Sequence, residues 1–564
     1  MTPSENGPDM DLDERHDRAA AGGEAVRTRP LSPGQHGIAL QQRAAPGSPA
    51  FNVPAALRLT GPLDQEALRR SLTDVVARHD VLRTTFPVHD GESRTQAVHP
   101  ARPVDLPVHD LRHLPAAERD RAASAILNAA AAVPFDLRAE PGLRCLLLTV
   151  ADQEQIFFWM MHHIICDGWS KSLFAAELSQ SYAAHRSGRP SPPAPLPATY
   201  GDFVTWQQDR DPAVLNAHLA YWQTQLHGVG DLPELPLTPH VRRPAATGGL
   251  GAGLELAVDA GTSRALGTLA RHERATVFMV LHAALAAVIR HAGGQSDVIV
   301  NTPYGERPPD FESLIGFFVN VLPLRFRFTD AMTFRDLLRQ TRATALDAYD
   351  HSQAPYHEVV RRLAQLHAGR IGPLPQLSLA FANLPYQDVE LDGLRIERFP
   401  IDRVDIRYPL ELHLWSDDEG VLAGRLLHRT DTIDARTAHD LARAYQDALR
   451  IVAAEPDLPI RDWDLPVPDL RPAPAPPTSV DAGQGAGPPA LSATEETLYG
   501  IWADLLHTDD IEPDASFLHL GGHSLLVALM VAQVRETFAI ELPVSVVYED
   551  PTLKGVAAAI DTRT

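Results

Sequence analysis

The sequence predicts an α/β protein of two lobes with a small all-α bundle tethered behind them. Strand-like and helix-like patterns are mixed in two successive blocks of similar size, the sequence signature of layered α/β architecture. A stretch rich in Pro, Ala and Gly, residues 465–489, follows the second block and reads as an extended, semi-rigid linker. Beyond it, residues 490–564 carry helical spacing and far more acidic than basic side chains.

A chain of 564 residues has room for three or four units that each bury a core. Its 44% hydrophobic and 22% charged residues are ordinary for a folded protein. The formal net charge of -22 argues against nucleic acid or an anionic membrane as partner. There is no run of about 18 apolar residues and no basic-then-apolar leader, so a cytoplasmic protein is expected. The two cysteines, Cys145 and Cys166, lie in apolar strand-like surroundings and read as small core residues.

Residues 1–29 are highly charged without an apolar period, and a disordered leader is expected there. The first lobe, 30–205, opens at Leu31-Ser32-Pro33-Gly34-Gln35. A strand at 57–60 is ended by Gly61-Pro62, and Asp64 then caps a helix whose apolar positions are Ala67, Leu68, Leu72, Val75 and Val76. Residues 78–86 pass from helix into strand, and a helix covers 116–132. Strands 143–150 and 156–160, joined by Asp152-Gln153-Glu154, form a hairpin, and a helix runs over 170–186. In the second lobe, 206–464, strands are predicted at 254–258, 298–300, 377–382 and 410–415, with an apolar run at 314–325. Helices are predicted at 277–290, 334–349 and 435–454. The bundle, 490–564, should hold helices at 494–506 and 524–538 and a short one from Thr552.

The stretch that stands out is Met161-His162-His163-Ile164-Ile165-Cys166-Asp167-Gly168-Trp169-Ser170, directly after the apolar run 156–160. Polar groups at the end of a strand buried on both faces are costly unless paired, which marks a site. Neighbouring residues of a strand point to opposite faces, so His162 and His163 do not chelate one metal; no third ligand is spaced for it, and no metal is expected. An isolated His-His pair most often just packs. Asp167-Gly168 at the following turn shifts the balance: one histidine can face a cavity as a base while the carboxylate holds the turn and the glycine allows close approach. Asn320 and Arg325, inside an apolar strand, need partners, and Arg325 and Arg144 are the two candidates to pair with Asp167.

Ser524 follows Gly521-Gly522-His523 at a helix start. Most serines there are N-caps, but the two glycines would expose this hydroxyl, and a helix N-terminus favours an attached phosphate. Leu526 stands where a nucleophile elbow needs its second glycine, so a hydrolase triad is not expected.

Together these pieces resemble the condensation domain of nonribosomal peptide synthetases, over about 30–463, followed by a peptidyl carrier domain, over about 490–560. The family's His-His-x-x-x-Asp-Gly pattern is met by His162, His163, Asp167 and Gly168. Residues 78–86 are similar to its Arg-His-x-x-Leu-Arg-Thr-x-Phe motif, residues 200–206 to its Tyr-x-Asp-Phe-x-x-Trp motif, and residues 315–325 to its Ile-Gly-x-Phe-Val-Asn-x-Leu-x-x-Arg motif. Two places depart from the pattern. Gly37 and Ile38 replace larger residues, and Pro409 stands where an aspartate is usual, which puts local hydrogen bonding in the second lobe in question.

The resemblance implies two chloramphenicol-acetyltransferase-like lobes forming a V around a central tunnel, with His163 catalytic and Asp167 mainly structural. It implies a 4'-phosphopantetheine carried on Ser524. Trp169, Ser170, Asn320, Arg325 and Arg144 are then tunnel or supporting residues, and the Gly168 N–H is a candidate oxyanion donor. The implied partners are an upstream donor carrier protein, a phosphopantetheinyl transferase and, since no adenylation domain fits between 463 and 490, a stand-alone adenylation enzyme. Asp167-Gly168-Trp169-Ser170 is similar to the subtype joining an L donor to an L acceptor. Ester formation with a hydroxyl acceptor, a non-catalytic recruitment domain and an acyltransferase using soluble coenzyme A are the competing functions.

Overall fold

The computed structural model describes residues 26–468 and 491–563, apart from 46, 89–92, 190–194, 230–248, 367–376, 383–388, 403 and, near the C-terminus, 507–510, 512–514, 518–523, 539, 541, 543–545 and 548–549. The expected leader, up to residue 25, and nearly all of the linker lie outside the described residues.

The first lobe runs β1 (Arg27–Pro30), α1 (Pro33–Ala44), β2 (Asn52–Thr60), α2 (Gln65–Arg78), β3 (Thr84–Thr85), β4 (Thr95–Val98), β5 (Val108–Asp110), α3 (Ala116–Ala132), β6 (Leu143–Ala151), β7 (Glu154–His162), α4 (Gly168–Arg186) and α5 (Tyr200–Gln208). The second runs α6 (Pro212–Gln225), β8 (Gly249–Ala257), α7 (Ala260–His272), α8 (Val277–Gly293), β9 (Asp297–Gly305), β10 (Val319–Arg327), α9 (Phe334–Asp350), α10 (Tyr356–Leu366), β11 (Leu377–Ala382), β12 (Arg395–Arg398), β13 (Val404–Ile406), β14 (Leu410–Ser416), β15 (Leu422–Arg429) and α11 (Ala435–Ala454). The C-terminal bundle contributes α12 (Ala493–Leu506), α13 (Ser524–Phe538) and α14 (Leu553–Asp561).

Each unit has its own core. The first lobe packs around a sheet of order β12-β2-β7-β6-β5, beside a small β1-β4-β3 sheet; the second lobe is built on a seven-stranded sheet, β10-β9-β11-β14-β15-β8-β13. Strand β7 lies between β2 and β6, and from Gln155 to His162 every residue is buried, which explains its unbroken apolar run. The bundle closes over Leu498, Trp502, Phe517, Met530 and Ile560.

Local chemistry accounts for the element starts. Ser32 caps α1 in a reciprocal capping box with Gln35, and Pro33 takes the first helical position. Asp64 caps α2 through the Ala67 N–H. Strand β1 falls within the stretch expected to be a leader, because Arg27–Pro30 pair with Thr95–Val98.

A division of the lobes at 205/206 is too simple, because two later segments return to the first core. Phe311, Leu314, Ile315, Phe317 and Phe318 pack there, as do Val389, Leu391 and Phe399, with β12 adding an edge strand to β2. The chain thus crosses the seam between lobes repeatedly.

Candidate active site

His162 is the last residue of β7 and His163 opens a 3-10 turn, so the strand end separates the two rings. His162 is buried between Phe51 and Phe135, with ring centroids 5.7 and 5.8 Å away. Its Nδ1 accepts the Ile164 N–H at 3.1 Å, and its buried Nε2 has no hydrogen-bond partner. Burial lowers its pKa to about 3, so it is a neutral packing residue.

His163 is different. It lies deep in the molecule yet keeps part of its surface open. Its Nδ1 stands 3.1 Å from the Cys166 carbonyl oxygen, which can only accept, so Nδ1 carries the proton and Nε2 presents a lone pair. Burial, then the positive charges of Arg407 and Lys171, hold the imidazolium well below its usual pKa. The Phe317 ring meets it edge-on at 6.2 Å. A Cβ on Gly168 would meet no atom within 4 Å, so this glycine leaves open space rather than relieving a crowded backbone. Gly168 is also the first residue of α4, where helix geometry leaves the backbone N–H without an intrahelical acceptor.

Asp167 is a structural hub. Its carboxylate caps α4 through the Ser170 N–H at 2.8 Å and accepts the Phe318 N–H at 3.1 Å. It is paired with the buried guanidinium of Arg307 at 3.0 and 3.1 Å. Neither arginine weighed from sequence fills this place. Arg325 binds Asp297 at 2.6 Å and the carbonyls of Gln225 and His227. Arg144 pairs with Glu140 and donates to the Val133 and Pro134 carbonyls. Sequence reasoning misses Arg307 because 140 residues separate it from Asp167, and its only sequence signal is a charged Glu306-Arg307 step at the end of a strand.

The same contacts clamp the second-lobe segment 309–318 onto the first lobe. Ser170 donates its hydroxyl to the Gly316 carbonyl at 2.8 Å and accepts the Gly316 N–H at 3.0 Å. The half-buried Trp169 indole donates to the Glu312 carbonyl, His79 Nδ1 accepts the Ile315 N–H, and the Tyr200 hydroxyl donates to the Phe317 carbonyl at 2.7 Å. A Cβ on Gly316 would lie 2.3 Å from the Tyr200 ring, so only glycine fits there. Trp169 and Ser170 are therefore positioning residues. Asn320 is also structural: its amide donates to the Ser352 and Ala354 carbonyls and accepts the Tyr356 N–H, fixing the start of α10.

Pro409 does not leave a gap. The buried Glu411 carboxylate accepts the N–H groups of Arg407 and Tyr408 and contacts His413 at 2.9 Å. Burial alone would raise its pKa; His413, Arg407 and the Tyr408 N–H outweigh it and bring the value to about 2. Cys145 and Cys166 are free, buried thiols pushed up to about 12 by burial. Among the described residues no cluster of three or more metal-ligating side chains occurs, and no single helix is long and apolar enough to cross a membrane.

Ser524 is the first residue of α13, a helix of 15 residues, so a phosphate joined there would lie at the N–H end of the helix. That position fits a phosphodiester-linked group.

The histidines set a pH window for stability. His162 and His282 sit at about 3 and His357 at about 4, chiefly through burial, and His163 is also depressed. Unfolded histidine titrates near 6.5, so as pH falls the unfolded chain takes up protons first. Their contribution is complete above about pH 6.5 and is lost progressively down to the folded values, at about 1.4 kcal/mol per pH unit for each group. The urea midpoint should therefore fall between pH 7 and pH 5, above the range of depressed carboxylates. A flat profile there would contradict the buried neutral histidines.

Residues 26–470 match the family described as Condensation domain, and residues 496–560 match Phosphopantetheine attachment site. One subunit of the linear gramicidin synthase of Brevibacillus parabrevis is 38% identical over 435 residues, covering 76% of this chain and 6% of that protein. Phosphinothricin tripeptide synthetase PhsC of Streptomyces viridochromogenes is 34% identical over 441 residues, covering 77% of this chain and 40% of that protein. The chain thus spans less than half the length of these curated relatives. The solved X-domain from teicoplanin biosynthesis superposes with a TM-score of 0.69 at 26% identity, covering 78% of this chain and 98% of that one. The first condensation domain of the calcium-dependent antibiotic synthetase does so with 0.64 at 21%, covering 78% and 99%, and speaks to the fold alone.

Proposed function

Because the chain belongs to the condensation-domain family, the peptide-bond-forming acyltransferases of nonribosomal peptide synthetases, with a phosphopantetheine carrier domain behind it, we propose that it makes an amide between a carrier-bound acyl or peptidyl thioester and an amino acid on its own carrier. The observation that carries this is the state of His163: neutral, with Nε2 unprotonated, on the turn that leads from β7 into α4.

Attached at Ser524, the phosphopantetheine group supplies a thiol that holds the acceptor as a thioester. An α-amine has a pKa near 8, so on the order of a tenth is already neutral at pH 7. His163 need not create the nucleophile. It takes the proton that the nitrogen sheds as the C–N bond forms, and that proton passes to the sulfur that leaves as the C–S bond breaks. The Gly168 N–H, left without an intrahelical acceptor at the start of α4, is the donor we assign to the carbonyl oxygen as charge develops on it. Asp167 acts through position, holding the first turn of α4 against residues 309–318.

Ester formation asks more of the same residue. An alcohol stays protonated at pH 7, so His163 would have to remove its proton, and a ring with a depressed pKa is a weak base for that. A recruitment role is suggested by similarity to the X-domain, which is also solved as a complex with OxyB. The oriented lone pair on His163 favours catalysis over that role.

The two family matches end and begin at residues 470 and 496, leaving no room between them for an adenylating domain. Loading of Ser524 is therefore proposed to occur in trans, in the cytoplasm, by a stand-alone adenylation enzyme after a phosphopantetheinyl transferase has acted. Intact mass spectrometry checks this. The chain should gain one phosphopantetheine, and an aminoacyl group only when the adenylating enzyme is added; Ser524→Ala should gain neither. Aminoacylation by the chain alone would overturn the trans assignment.

A further inference from the structure

The chain has 50 lysine and arginine side chains, and only Lys171 and Lys554 among them are lysines. Lys171, the one lysine of the two lobes, is the fourth residue of α4, one turn beyond Gly168 on the same face of the helix. A cation at that place opposes the helix dipole. Lys171 is half-buried, and among the described residues its ammonium has no hydrogen bond and no ion pair. The Asp167 carboxylate, four residues earlier, is already taken by Arg307 and by the N–H groups of Ser170 and Phe318. Gly168 is exposed, and a Cβ on it would meet no atom within 4 Å, so the ground before this face of α4 is open.

Arg407 repeats the pattern from the second lobe. It is half-buried, its guanidinium stands 6.0 Å from the Tyr408 ring centroid, and it forms no ion pair among the described residues. The Glu411 carboxylate, whose charge it feels, already accepts the backbone N–H groups of Arg407 and Tyr408 and contacts His413. Lys171 and Arg407 are both near enough to His163 to act on its ring. Two half-buried cations gathered around one ring, each without a carboxylate, are costly, and a bound anion would remove that cost.

We propose that Lys171 and Arg407 bind a carboxylate of the substrate beside His163. Lysine supplies a compact point charge and arginine a planar fork, a set of donors suited to a carboxylate. The condensation itself offers no such group, because the carboxyl carbons of donor and acceptor are both held as thioesters. The phosphate of the pantetheine arm lies at the opposite end from its thiol, away from the reacting carbon. The substrate class is therefore an amino acid with an acidic side chain, present either in the acyl donor or as the acceptor. The inference deepens the condensation function and rests on it.

Calorimetric titration of the full chain with soluble ethyl thioesters tests this independently of turnover. Donor mimics are the N-acetylaspartyl and N-acetylasparaginyl thioesters; acceptor mimics are the aspartyl and asparaginyl thioesters with a free amine. Within each pair the shape is nearly the same and only the charge differs. The acidic member of one pair should bind about ten- to hundredfold more tightly than its neutral partner. A preference in the acetylated pair assigns the donor, and one in the free-amine pair assigns the acceptor. Lys171→Met should bring the ratio close to one, and Arg407→Met should do the same and serves if Lys171→Met does not fold. A ratio of one in both pairs for the unaltered chain, a ratio that survives both variants, or no binding of any probe would overturn the proposal. So would equal weakening of the acidic and neutral probes in the variants. The condensation function would be untouched by such results, since it is read from acyl transfer between carriers.

Discussion

His163→Ala should lose most condensation, by about 10²- to 10⁴-fold in turnover, while attachment of phosphopantetheine and aminoacyl loading proceed as before. The size follows from what the ring does: it removes one proton from an otherwise competent amine and returns it to the leaving sulfur. The part that survives comes from holding the two reactants together, which the alanine does not disturb. His162→Ala should behave differently, because its ring packs between Phe51 and Phe135 and its Nδ1 takes the Ile164 N–H. That variant loses stability first, and activity only as the turn at residues 163–165 loosens. Single-turnover rates with preloaded carriers, read beside thermal unfolding, separate the two. Equal rates in His163→Ala and the unaltered chain would remove His163 from the chemistry.

The second large effect concerns the ion pair between Arg307 and Asp167, both nearly inaccessible, with side-chain exposures of 8% and 5%. Arg307→Met leaves the carboxylate buried without its countercharge, which should cost about 3–5 kcal/mol. Asp167 also holds the Phe318 N–H and caps α4, so losing its partner loosens segment 309–318 and the Phe317 ring that meets His163. Turnover should fall along with stability. Replacing both partners, Arg307→Met with Asp167→Leu, should recover part of the stability because no charge is left stranded, but not the activity, because the cap and the Phe318 contact are gone. Denaturant unfolding of the two singles and the double forms the necessary cycle. A double variant that is less stable than either single would contradict a buried pair whose cost lies in the unpaired charge.

The pattern of what is legible in the sequence is physical. Helices at 116–132, 524–538 and 435–454 are readable because apolar spacing marks them. The hairpin β6–β7 is readable because a central strand is apolar throughout. Strand β12, Arg-Ile-Glu-Arg, is not, because an edge strand carries charge and no alternation, and its place beside β2 is a tertiary fact. Helices α7 and α10 go unpredicted although their apolar spacing is present. In the site, adjacency gives His162, His163, Asp167 and Gly168 at once. It cannot give Arg307, and it suggests two wrong arginines, because salt-bridge partners across a lobe seam leave no spacing to read.

One measurement tests the central claim most directly. The chain, with an amino acid loaded on Ser524, is mixed with an acyl-loaded donor carrier, and both proteins are followed by intact mass. The account predicts that the donor loses its acyl group while the chain gains that mass, with the new bond resisting hydroxylamine as an amide does, and that His163→Ala gains little. Donor acyl that stays on its carrier or is released by hydrolysis, or a gain unchanged in His163→Ala, would contradict it.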